Sequence, residues 1–200
     1  MLRTHLNSLR LATTILLTAA AAPALAGGGL ILRDDVCIIT IGFYEAHFTA
    51  YQPATSGNEE FCRDFPDTGE TIFVLDYLHS SMKLVPVDFR IIRDTGGLGQ
   101  FVKWEDVEKI TDIQGVSVFY QPPKIESSGS FRASYDFLEA GDYIGIVTAG
   151  HPTNDKTYNS VFGFSVGKAN YPFWLLYLFV ASLFVYLIRY AYVSMANSSD

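Results

Sequence analysis

The eighteen residues YPFWLLYLFVASLFVYLI, from Tyr171 to Ile188, contain no charged side chain. Hydrocarbon offers a backbone no hydrogen-bond partners, so such a run is stable there as a helix, and it is long enough to cross a bilayer core of about 30 Å. Tyr171 and Trp174 stand at one end and Arg189 at the other, the pattern of an aromatic belt answered by a cation that reaches for the head groups. The absence of charge argues against a buried core helix, and no Asp, Glu, His or Lys inside the run marks an ion path. A membrane span over residues 171–193 with a tail at 194–200 is therefore expected, and the lipid bilayer is the first partner.

The other end of the chain fixes the direction of that span. Arg3 and Arg10 precede an apolar run from Leu11, and Ala24-Leu25-Ala26 closes it before three glycines. This is the pattern of a secretory signal peptide over residues 1–26, and its apolar run is short for an uncleaved anchor. Export of residues 27–170 leaves Arg189 on the cytoplasmic side, so the expected protein is single-pass in a bacterial inner membrane with its N-terminal domain in the periplasm. Removing two arginines and no acids takes the formal charge from -7 to -9. Nucleic acid is excluded as a partner, because binding it requires a basic surface that displaces counterions.

Within residues 27–170, aromatic and β-branched runs recur between turn signals: CIITIGFYEAHFTAY, ETIFVLDYL, KLVPVDFRII, VSVFYQ, GSFRASYDF, DYIGIVTAG and NSVFGFSVG. Seven short strands at this rhythm predict an all-β, antiparallel sandwich of immunoglobulin-like type. Only Phe101–Ile113 shows helical spacing, in Phe101, Trp104, Val107 and Ile110, which predicts one short helix between strands. FLEAGDYIGIV is similar to the tyrosine corner of immunoglobulin-like domains, with Tyr143 opening a strand just after a turn. That likeness implies a structural role for Tyr143. Gly145 stands where an antibody domain has its second cysteine, so no antibody-style disulfide is expected. Cys37 and Cys62 have two readings, a disulfide in an oxidising compartment or a pair of thiolate ligands, although a spacing of twenty-four residues matches no metal motif.

The case for an enzyme is thin. No G-x-S-x-G elbow occurs, and the glycines of RDTGGLGQ lack the Lys and Ser/Thr of a phosphate loop. Carboxylates at Glu59, Glu60, Asp64 and Asp67 fall in a Pro/Gly-rich connection that reads as solvated loop. No catalytic residue is assigned.

Four side chains keep a copper reading open. His47, His79 and His151 are the histidines left after signal cleavage and Met82 is the exported domain's methionine; imidazole suits copper in both oxidation states, and thioether suits Cu(I). His79 and His151 follow strands, whereas His47 lies inside one, or near its end if Gly42 breaks the first run. The competing reading packs His47 against Tyr44 or Phe48 and leaves the other two as loop residues.

Signal peptide, small periplasmic β-domain and C-terminal span together resemble the accessory proteins of copper membrane monooxygenases for methane and ammonia. The resemblance is in layout. Those proteins bind copper through closely spaced cysteines with a methionine, whereas Cys37 and Cys62 are far apart, so no ligand is carried over. It implies a non-enzymatic protein that binds or helps to assemble a membrane protein complex, with exposed aromatics such as those of VFYQPP as a partner patch. The alternative is a copper-binding or copper-delivery protein that uses histidine.

Overall fold

The computed structural model describes residues 29–168 and the backbone of 174–197. Residues 1–26 and Tyr171 lie outside the described residues, as does the side chain of Trp174. All seven predicted runs form strands, and the first is divided by a turn at Gly42-Phe43. Gly42 has φ +61°, and a Cβ there would lie 2.3 Å from the Tyr158 ring, so only glycine lets the chain turn this tightly.

Ten strands make two five-stranded sheets. The first is ordered β1 (Leu30–Arg33), β2 (Val36–Ile41), β3 (Tyr44–Tyr51), β5 (Gly69–Tyr77), β8 (Ser130–Phe137) and is antiparallel throughout. The second runs β4 (Asp64–Phe65), β10 (Thr157–Val166), β9 (Gly141–Gly150), β6 (Pro86–Arg93), β7 (Ser117–Ile125). It is antiparallel except where the two residues of β4 lie parallel to β10.

Strand alternation builds the core. Tyr44, Ala46, Phe48 and Ala50 of β3 point inward, into a core shared with Phe73 and Phe131 of the same sheet and Phe89 and Phe162 of the facing one. The rings favour tilted and edge contacts, as between Phe48 and Phe162 at 4.8 Å. One side of the sandwich closes where Gln121 Nε2 donates to the Arg132 carbonyl (3.2 Å) and Phe119 packs on Tyr135. The opposite side closes where Gly29 N–H donates to the Val161 carbonyl (2.9 Å) and the Arg63 guanidinium donates to that of Leu30.

The expected helix at Phe101–Ile113 is broken into pieces. A 3-10 turn (Gly99–Phe101), α1 (Trp104–Val107) and α2 (Ile113–Val116) lie along the connection between β6 and β7. Val102, Val107, Ile110, Ile113 and Val116 pack with Ile92, Ile144, Ile146 and Val161 in a second small core, on the outer face of the second sheet. Their spacing tracks a flat sheet rather than a continuous helical stripe. The connection lies so close that a Cβ on Gly163 would meet the Gly99 carbonyl oxygen at 2.0 Å.

Helix α3 (Trp174–Asn197) has 24 residues. Its side chains are described continuously only from Leu176 to Leu187, a stretch too short by itself to cross a membrane, and those residues are exposed.

Candidate functional site

Register determines which residues meet at each end of the sandwich. Ile41 pairs with Tyr44, Ala46 with Tyr77, Pro86 with Ile125 and Thr157 with Gly150, so four connections converge at one pole. Val166 pairs with Gly141 at the other pole, and from there the chain continues towards α3. The first pole is therefore the one distal to the point where the chain leaves the sandwich.

The distal pole carries exposed apolar and aromatic groups. Phe43 is 47% exposed and packs on Tyr44 (4.1 Å between centroids), Tyr158 (5.2 Å) and His151 (5.7 Å). Leu84, 72% exposed, and Leu78, 54% exposed, lie on the connection from β5 to β6. Charges there are of both signs, among them Lys83, Asp155 and Lys156, and partly paired, as in Lys124–Glu126 at 2.5 Å. The Arg33 guanidinium, hydrogen-bonded to Glu45 at 3.0 Å, holds that carboxyl below its ordinary range, and His79 contributes in the same direction.

His79 and His151 both belong to this pole, His79 exposed beside Glu45 and His151 in the turn after β9. The Nδ1 atom of His151 accepts the Thr153 N–H at 3.1 Å, so a neutral ring carries its proton on Nε2. Coordination by His151 thus requires that bond to be given up.

His47 sits apart. It lies on the outer face of the first sheet, in the row Ile38, His47, Asp76, Ser130, with Nε2 3.3 Å from Thr49 Oγ1. That contact runs along β3 away from the pole. Met82 is fully buried in the main core. Among the described residues, no group of three or more His, Cys, Asp or Glu side chains is placed to hold a metal ion.

Cys37 and Cys62 form a disulfide with their Cα atoms 5.9 Å apart. The bond lines a mainly apolar groove of about 560 Å³, with Leu30, Leu32 and Phe61 as walls. Burial lowers the pKa of Arg63 at its rim.

Tyr143 Oη donates to the Glu139 carbonyl at 2.7 Å and fastens the turn between β8 and β9. In RDTGGLGQ, the Asp94 carboxylate accepts N–H bonds from Gly96, Leu98 and Gly99 at 3.2, 3.0 and 2.8 Å. The loop is organised around its own anion.

No protein-family model matches the chain, and no curated protein matches it. Among solved structures, the chain is similar to the crystal structure of the PmoD soluble domain from Methylocystis sp. ATCC 49242 (Rockwell). Identity is 28% and the TM-score 0.53, over 65% of this chain and 97% of that one. The resemblance in layout thus has a counterpart in the fold.

Apolar exposure is not confined to the segment the sequence suggests, where Tyr120 is 45% exposed. In VFYQPP, Phe119 is half-buried against Phe89 and Tyr135, and the Tyr120 ring lies under the Arg90 guanidinium at 4.1 Å. The missed residues are Phe43, Leu78 and Leu84. Their signal is a large apolar side chain next to a turn residue or beyond the end of a strand pattern, where packing does not demand one.

Proposed function

We propose that this is a non-enzymatic, membrane-anchored accessory protein whose periplasmic sandwich binds or helps to assemble a membrane protein complex of the monooxygenase type. Similarity to nearly the whole PmoD soluble domain carries the reading. The exposed distal pole supports it, since exposed aromatic and aliphatic side chains make the core of a protein contact. On this reading residues 1–26 are a cleaved signal peptide, the sandwich is immunoglobulin-like, and residues 171–193 span the bacterial inner membrane with 194–200 in the cytoplasm. Cross-linking in native membranes and purification in mild detergent test it. The expected result is a membrane protein recovered with the wild-type chain and lost with Phe43→Asp/Leu84→Asp. Repeated recovery of this chain alone counts against it.

A second reading, copper binding or delivery, is favoured by one observation: His79 and His151 share a pole. Here the ligands are these two histidines, with a partner's groups completing the coordination. Copper retained by the purified full-length protein after desalting, and lost with His79→Ala/His151→Ala, supports it. Retention unchanged by that substitution removes the histidines from the site.

A further inference from the structure

The pole from which the chain leaves towards α3 has its own surface. Leu138, at the tip of the turn between β8 and β9, is 83% exposed, more than any other large apolar side chain of the sandwich. A single exposed leucine is ordinary on a protein surface. This one is held in place on a fastened turn beside the point where the chain leaves the domain.

The turn is braced from three directions. Tyr143 Oη holds the Glu139 carbonyl at 2.7 Å, Arg93 pairs with the Glu139 carboxylate at 2.6 Å, and Gly167 lies so close that a Cβ on it would be 2.9 Å from that of Ala140. Lys168 pairs with Asp142 at 2.5 Å. The two acids that follow Leu138 therefore each have a cation beside them, whereas Asp136 before it is exposed and lies opposite Glu70 across the sheet. From Lys168 only six peptide steps lead to Trp174, the first residue of α3, which bounds their separation at roughly 20 Å.

We propose that the Leu138 turn rests in the head-group region of the bilayer that α3 anchors, making it the sandwich's lipid-contacting foot. The inference rests on the membrane-anchored reading above. The short tether keeps this pole near the lipid, and the pairing of Glu139 and Asp142 offsets part of its acidic charge. The ten residues of β9 then raise the Phe43 and His151 pole roughly 30 Å above the head groups. That height is where a partner must present its contact surface.

Full-length Leu138→Cys and, on the distal pole, Ser128→Cys are each labelled with an environment-sensitive fluorophore and reconstituted in phosphatidylcholine nanodiscs carrying a head-group nitroxide lipid. Both positions are exposed, so neither substitution disturbs the core. The expected result is quenching at 138 several-fold stronger than at 128. Equal quenching, with the protein resisting alkaline carbonate extraction from membranes, overturns the foot and leaves the anchor standing. Release by carbonate overturns the anchor, and the foot with it.

Discussion

The Tyr44 hydroxyl donates to the Gly150 carbonyl at 3.0 Å, joining the turn that begins β3 to the end of β9 in the opposite sheet. This bond sets the floor on which Phe43, His151 and Tyr158 assemble. Tyr44→Phe keeps the ring packing and leaves one carbonyl without its partner, at a cost of about 1 kcal/mol. Phe43→Leu next to it, on a ring that is 47% exposed, keeps apolar contact with its neighbours and is expected to change stability by no more than about 0.5 kcal/mol. Urea unfolding of the two variants checks the contrast. Equal losses would mean that the exposed ring is part of the fold rather than a surface offered to a partner.

The Cys37–Cys62 bond ties β2 to the segment before β4 and closes a loop with a sequence separation of 25. Chain-entropy reasoning for such a loop gives a loss of about 3 kcal/mol when the bond is removed. Cys37→Ser/Cys62→Ser should lower the urea midpoint accordingly, with a slope that rises because the unfolded chain, freed of its cross-link, exposes more surface. A slope that falls as well would show that this edge of the sandwich opens before the rest.

The strands were legible because half-buried sheets impose a period of two, and the alternation of Tyr44, Ala46, Phe48 and Ala50 is carried in neighbouring residues. Tyr143 was legible too, since its role depends on a turn four residues upstream. β1 and β4 escaped because four and two residues are too few to show a period. The segment Phe101–Ile113 misled for a different reason: apolar residues every three positions suit a helix, but here they cover a sheet face. The poles could not be read at all. Which histidines share an end of the sandwich depends on register between strands up to a hundred residues apart, and that is settled by the whole core rather than by local pattern.

Gly163 is where the connection between β6 and β7 is pressed against β10. A methyl group there would meet backbone atoms of Gly99 and Gln100, which cannot swing aside as a side chain can. Gly163→Ala is expected to cost about 1–3 kcal/mol, as overpacking typically does. Hydrogen exchange gives the sharper check, with protection lost first at Ile92, Ile144 and Ile146 beneath the displaced cover. Uniform loss of protection would place the strain in the main core instead.

Alkaline pH should unfold the sandwich through its buried phenols. Burial raises the pKa of Tyr44, Tyr51, Tyr77 and Tyr143, with the charge of Glu60 adding to the rise at Tyr51 and that of Glu126 at Tyr77. An unfolded tyrosine ionises near pH 10, so above that value the unfolded chain releases protons that the folded one retains. Stability from these groups is thus fully present below about pH 10 and is lost as pH rises through the folded-state values. Ionisation of these phenols, Tyr77 above all, should accompany the loss of near-ultraviolet circular dichroism. Tyr77 isolates the cause: its buried hydroxyl has no hydrogen-bond partner among the described residues, so Tyr77→Phe removes a titrating group without breaking a bond. The variant should be at least as stable as wild type at neutral pH and should unfold at higher pH. An unchanged alkaline midpoint would assign the transition to the other three phenols.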